Sequence, residues 1–298
     1  MKITKQRLME MAGLSVNEAP EDDLAKFATA DLSNTVSMLK TLGSDKDFNS
    51  LIQKGDQDGN VTDEQVSFSK ANVACTDMFP TQAEIGFGNS LDDLCNDKYG
   101  AIESAYSSPV MMPAKGERTP ILCASVGGKV YILDGHHRWS SCFMINNKAK
   151  MVCDIMQLGE GKPEHALKIM QMAIAAKAGV IKTKNFDGKD LMATNTNEVK
   201  SYIVDNIGEK EVALFGEESQ GKLDTKEKIA DEVANAHTKI IAMKGDFPRT
   251  IMPQAGESGT NQDDVNTALE KGMVNFKEPF NEARLNQISN IQRLTKSK

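Results

Sequence analysis

Five consecutive residues, Asp134-Gly135-His136-His137-Arg138, hold the densest chemistry in the chain, with two of its four histidines side by side between an aspartate and an arginine. The glycine allows a sharp strand-to-helix turn and lets a ligand approach the backbone closely. The first amides of the helix that follows have no intrahelical acceptor and carry the positive end of its dipole, so they favour an anion. Arg138 adds a permanent charge on a planar fork that suits phosphate oxygens. His136 and His137 can donate hydrogen bonds, bind a metal or move a proton near neutral pH. Asp134 can cap the helix, orient a histidine or hold the cation that accompanies a nucleotide. A purely structural cap and turn is the competing reading. Zinc is weaker still, because two imidazoles and one carboxylate lack a fourth ligand nearby.

The elements that must position this turn are readable from local pattern. Residues 121–126, then Gly127-Gly128, then 129–133 read as two strands joined by a two-glycine turn. A helix over 136–145 and a strand over 149–156 follow. Upstream lie a short strand at 72–76, a loop through Phe79-Pro80-Thr81-Gln82-Ala83-Glu84-Ile85 and a helical stretch at 90–99. Together they predict a compact α+β domain over residues 66–158.

Residues 1–65 read as an N-terminal helical segment, with apolar spacing at 24–28 and 36–40 and a cap at Asp31-Leu32-Ser33-Asn34. The stretch 55–64 looks superficially like a calcium loop. Gly59 comes two positions early and Ser67 stands where a bidentate glutamate is required, so it is a solvated turn. Residues 159–298 read as a mainly helical C-terminal region, with helices near 164–175, 197–207, 225–243 and 278–294 and loops at 216–224 and 246–261. Trp139, the single tryptophan, is expected to anchor the core. Asp92, Asp93 and Asp97 are expected on a solvated helix face, Lys115-Gly116-Glu117-Arg118 in a plain loop, and His165 and His237 in ordinary helical positions.

Composition narrows the classes. A net charge of -7 argues against general attraction to nucleic acid. Five cysteines without a C-x-x-C pair, mostly inside apolar runs, read as reduced buried thiols of a cytoplasmic protein. No apolar run approaches the roughly 20 residues of a membrane helix, and the N-terminus lacks the apolar core of a signal peptide. No P-loop, Gly-x-Gly-x-x-Gly fingerprint or Gly-x-Ser-x-Gly elbow is present.

The motif Asp134-Gly135-His136-His137-Arg138, entered from an apolar strand and preceded about fifty residues earlier by Pro80-Thr81-Gln82, resembles the ParB/sulfiredoxin superfamily. It is most similar to the free-serine kinases and the ParB-like proteins of phages and mobile elements. The resemblance covers about a third of the chain. It implies a nucleoside triphosphate site, for ATP or CTP with Mg2+, in which Gly135, His136, His137 and Arg138 hold phosphates. Thr81 and Gln82 of the proline loop form the opposite wall, and Asp134 takes the metal.

Departures limit what carries over. His136 stands at the sulfiredoxin cysteine, and the Glu-Arg pair of the partition proteins is absent. Gln82 occupies the place of the kinase glutamate, so Glu84 is the residue left to act as base, beside a histidine that assists proton transfer. The expected activity is therefore phosphoryl transfer, as an NTPase or kinase. The alternatives are a nuclease or DNA-binding protein of a mobile element, and a non-enzymatic phage structural protein that keeps the fold as a scaffold. A DNA or protein partner through the helical regions and a homo-oligomer are left open, as is a host-cytoplasm or virion location.

Overall fold

A computed structural model describes residues 30–42, 67–114, 117–159, 161–178, 183–254 and 265–267. The expected helices at 24–28 and 278–294, the calcium-like stretch and Lys115-Gly116 lie outside the described residues. The chain divides into two units: Met1–Val66 with Lys168–Ile181 and Ser258–Lys298, and Ser67–Leu167 with Lys182–Glu257.

In the first unit, α1 (Leu32–Leu42) buries Leu32, Val36 and Leu39, an i, i+4, i+7 stripe. Its start is capped as expected, the Asp31 carboxylate accepting from the Asn34 amide at 2.8 Å.

The second unit is an α+β fold built on a five-stranded mixed sheet. Its strands are β1 (Phe68–Ala74), β2 (Met78–Pro80), β5 (Ile121–Val126), β6 (Lys129–Asp134) and β7 (Lys150–Gly159), in the order β1-β7-β5-β6-β2. The Gly127-Gly128 hairpin forms as expected, with both glycines at positive φ. β2 runs parallel to β6 and β5 parallel to β7, while β1 and β7 are antiparallel. A two-stranded ribbon, β3 (Pro113–Ala114) and β4 (Glu117–Arg118), precedes the hairpin.

Three helices belong with this sheet: α2 (Phe87–Cys95), α3 (Ala101–Tyr106) and α4 (His136–Ile145). α4 has the expected bounds. The strand expected at 72–76 starts earlier and gives way to a single 3-10 turn at Cys75–Asp77. The helical stretch expected at 90–99 runs from Phe87 and stops at Cys95, because Asp97 and Tyr99 take positive φ.

After α5 (Pro163–Ala178), helices α6 (Thr196–Asn206), α7 (Glu209–Glu218) and α8 (Lys226–Ala242) add Val199, Ile203, Phe215, Ile229, Val233 and Ile240 to the core that holds Trp139 and Phe143. Helices α6, α7 and α8 thus share the sheet's core. The loop expected from 216 begins only after Glu218.

Trp139 is wholly buried, donating its indole N–H to the Cys75 carbonyl at 3.0 Å and stacking edge-on against Phe143. All five cysteines are buried free thiols. Among the described residues no helix is long and apolar enough to cross a membrane.

Candidate functional site

β2 ends at Pro80, opposite Ile132 of the parallel strand β6, which runs on to Asp134. The loop 81–86 and the turn after Asp134 therefore leave neighbouring strands at the same edge of the sheet. The carboxyl ends of adjacent parallel strands form a natural crevice, since the chain departs from both. Gly135 makes the turn with φ +99°, and a Cβ there would lie 2.6 Å from Ile121 Cδ1 and 3.1 Å from Arg138 Nη2. The backbone conformation requires glycine, and a Cβ would also have to displace those two side-chain ends. Gly135 is also the N-cap of α4, so it offers no side chain to the helix's first amides.

The three side chains after Gly135 go to three different places. His136 is buried, and its Nε2 accepts from the backbone amides of Thr81 at 3.2 Å and Gln82 at 3.3 Å. That arrangement puts the ring proton on Nδ1. Burial, with His137 and Arg249 nearby, pushes its pKa down to about 3, so it is neutral at pH 7. Thr81 meanwhile gives its hydroxyl proton to the Ile132 carbonyl at 2.7 Å.

His137 points at the start of α2. A Cβ on Gly86 would sit 2.9 Å from its Cε1 and 3.8 Å from its Nδ1. Burial and the Arg249 charge push its pKa down to about 4, against smaller upward pulls from Asp134 and the Gly86 carbonyl. Its Nδ1 is buried and makes no well-formed hydrogen bond.

Arg138 is buried and turns back into the protein. Nη1 donates to the Thr119 carbonyl at 2.6 Å and to Thr119 Oγ1 at 2.9 Å, and Nη2 to the Pro120 carbonyl at 3.4 Å. These contacts lock α4 to the start of β5. Asp134 is half-buried at the end of β6, opposite Leu122 of β5.

The proline loop is held by two C-terminal segments. Asp190 Oδ1 accepts from the Ile85 amide at 3.0 Å and from Met192 N at 2.9 Å, while Leu191 N donates to the Ile85 carbonyl at 2.7 Å. Phe247 N donates to the Thr81 carbonyl at 3.0 Å and Ala83 N to the Phe247 carbonyl at 2.8 Å. Gly245 makes this second docking close, since a Cβ there would fall 2.3 Å from the Thr81 carbonyl carbon. Arg249 then reaches the loop's polar groups: Nη1 donates to Gln82 Oε1 at 3.0 Å, Nη2 to Gln254 Oε1 at 2.7 Å, and its backbone amide to Glu84 Oε2 at 2.7 Å. The Gln82 amide also donates to the Glu84 carbonyl.

The structure thus brings together Thr81, Gln82, His136 and His137, keeps Asp134 and Gly135 at the turn, and links Glu84 to the cluster through Arg249. Arg249 and Gly245 have no local signature, because their segment reads as an ordinary Pro/Gly loop.

The acidic run differs from its expected solvated face. Asp93 is half-buried and accepts from Ser141 of α4 at 3.0 Å, burial raising its pKa to about 6. Asp92 accepts from the Tyr202 hydroxyl at 3.2 Å, and Asp97 Oδ1 accepts from the Ile102 amide at the start of α3 at 3.0 Å. α2 turns its acidic face towards α4 and α6 rather than water. His237 is buried between the Leu191 carbonyl and the Thr196 hydroxyl, a core position. His165 Nδ1 accepts from the Lys162 amide at 3.4 Å.

Among the described residues, no three His, Cys, Asp or Glu side chains form a group able to hold a metal ion. Comparison with protein-family models, curated proteins and solved structures finds no match.

Proposed function

We propose that this is a phosphate- or nucleotide-binding protein of the ParB/sulfiredoxin type, with the anion held at the start of α4. The supporting observation is His137. A buried polar nitrogen left unpaired costs about 1–3 kcal/mol, and such a group in a folded protein calls for a partner. Here it stands beside a helix start whose N-cap is a glycine and which carries about half a positive charge. In this reading the His137 N–H and the amides after Gly135 hold the phosphate. Asp134 is the carboxylate available to the Mg2+ of a nucleoside triphosphate, and that ion would neutralise phosphate charge. Phosphoryl transfer would draw on His137 for proton movement and on Glu84 as base, while His136 and Arg138 keep the turn in shape.

A second reading, a non-enzymatic scaffold, draws on Arg138, His136, Thr81 and Gln82, each of which is engaged by the protein's own groups. Titration calorimetry with ATP, CTP and GTP in the presence of Mg2+ separates the two. Binding of at least one nucleotide, weakened tenfold or more by His137→Ala, supports the first. Silence of the wild type towards all three hands the protein to the second.

A further inference from the structure

We propose that Cys75 and Cys142 are an oxidation site, where a peroxide joins them in an intrachain disulfide that ties α4, the helix of the histidine turn, to the 3-10 turn between β1 and β2. The inference goes beyond the phosphate reading and does not depend on it.

The two sulfurs lie 3.7 Å apart, the Cys75 thiol donating to Cys142 Sγ, although the residues are 67 positions apart in the chain. The backbone that presents them is fixed from both sides. Cys75 N donates to the Ala149 carbonyl at 3.0 Å, just beyond α4, and the Cys75 carbonyl accepts the Trp139 indole N–H at 3.0 Å. Trp139 and Cys142 are three residues apart on α4, so they share one of its faces. Cys75 is thus held against the stripe of α4 that carries the Cys142 thiol. Sulfurs in a disulfide are about 2.0 Å apart, so a short swing of two side chains closes the bond.

The other thiol pair is placed differently. On the parallel strands β5 and β7, Ile121 pairs with Cys153 and Cys123 with Ile155. Cys123 and Cys153 are therefore diagonal neighbours with Cα atoms roughly 8 Å apart, beyond the ~7 Å that a disulfide spans. Cys95 stands elsewhere, on α2 beside Asp92 and Glu211, where burial pushes its thiol up to about 12.

Burial decides which oxidant can act. Cys75 and Cys142 are both wholly buried, and the hydrogen bond from Cys75 together with burial holds the Cys142 thiol well above its ordinary range. The thiolate is the nucleophile, so the pair reacts slowly and only with an oxidant small enough to enter. Hydrogen peroxide meets that condition, and oxidised glutathione is too bulky. One thiolate attacks the peroxide: an S–O bond forms, the O–O bond breaks, and the departing hydroxide leaves as water with the thiol proton. The second thiol then attacks the sulfenic sulfur, forming S–S, breaking S–O and releasing a second water. Each sulfur gives up one electron, and the peroxide is reduced to two waters.

The test treats native protein with hydrogen peroxide until Met111, an exposed methionine, is converted to its sulfoxide, and then overnight. The remaining thiols are alkylated in denaturant and the digest is mapped by mass spectrometry. Expected are a joined Cys75–Cys142 peptide two hydrogens lighter than its parts, with Cys95, Cys123 and Cys153 alkylated, and loss of that peptide in Cys142→Ser. If the serine variant does not fold, the wild-type map is itself the test. The oxidised protein should also melt about 5 °C or more above the same sample after phosphine reduction, which reopens the disulfide. Oxidised Met111 with both thiols intact, sulfinic or sulfonic acid at Cys75 or Cys142 without a joined peptide, or a bond between another pair overturns the proposal. A joined peptide without the rise in melting temperature overturns the tether.

Discussion

His136 and Thr81, 55 residues apart in the chain, are joined by a hydrogen bond in which the imidazole Nε2 accepts the Thr81 backbone amide at 3.2 Å. Because Gln82 N donates to the same nitrogen, a proton there would evict two buried amides at once. One of the two adjacent histidines that the sequence offers as proton carriers is a structural acceptor in the fold.

The stability of the protein should therefore fall on acidification. The folded pKa values of His136 and His137, about 3 and about 4, lie below the ordinary histidine value near 6.5. Their contribution is complete above that value and is lost as pH falls through it towards the folded values, at about 1.4 kcal/mol per pH unit for each ring. His237, also depressed by burial, adds in the same direction. Asp93 opposes them: with its pKa raised to about 6, the fold takes up that proton first, which favours it between pH 6 and 4. Screening of a half-exposed carboxyl keeps this to ~1 kcal/mol. Urea unfolding should give a loss of roughly 3 kcal/mol from pH 7 to pH 5 in wild type, and a larger loss in Asp93→Asn. A flat profile in both would contradict neutral buried histidines.

Arg138 should matter to stability before it matters to a ligand. Removing a guanidinium with three acceptors among buried groups should cost about 2–4 kcal/mol in Arg138→Ala. Arg138→Lys, which cannot reach Thr119 and Pro120 together, should lose part of that. Thermal unfolding of the two variants measures this. Variants as stable as wild type that nonetheless lose nucleotide binding would return Arg138 to the ligand.

Gly245→Ala should detach the C-terminal segment from the proline loop. The new Cβ would meet the Thr81 carbonyl carbon and oxygen at 2.3 Å and Gln82 N at 2.7 Å, and backbone cannot step aside as a flexible side chain can. Hydrogen exchange should show lost protection at Ala83 and Phe247, whose amides make that docking, with a cost of roughly 2 kcal/mol or more. Unchanged protection at both amides would refute the close docking.

The sequence by itself determined the elements whose signals are local. The Gly127-Gly128 hairpin, the start of α4 directly after Gly135 and the buried strand β7 follow from turn chemistry and apolar pattern within a few residues. It also marked Trp139 for the core and the five cysteines as buried thiols. Tertiary structure decided the rest. β2 has three residues, one of them proline, so only its pairing with β6 makes it a strand. α2 reads as an exposed acidic helix until Ser141 and Tyr202 pack on its aspartates. Within the motif, the sequence supplied the residue types and the glycine turn, but three adjacent side chains leave a helix about 100° apart. What each one meets, amides of Thr81 and Gln82, the Gly86 corner or the Thr119 carbonyl, depends on chain brought in from 19 to 55 residues away. Arg249 arrives from farther still, 167 residues beyond Gln82, and no local pattern can announce a contact made only when the sheet, its helices and the C-terminal segment have packed.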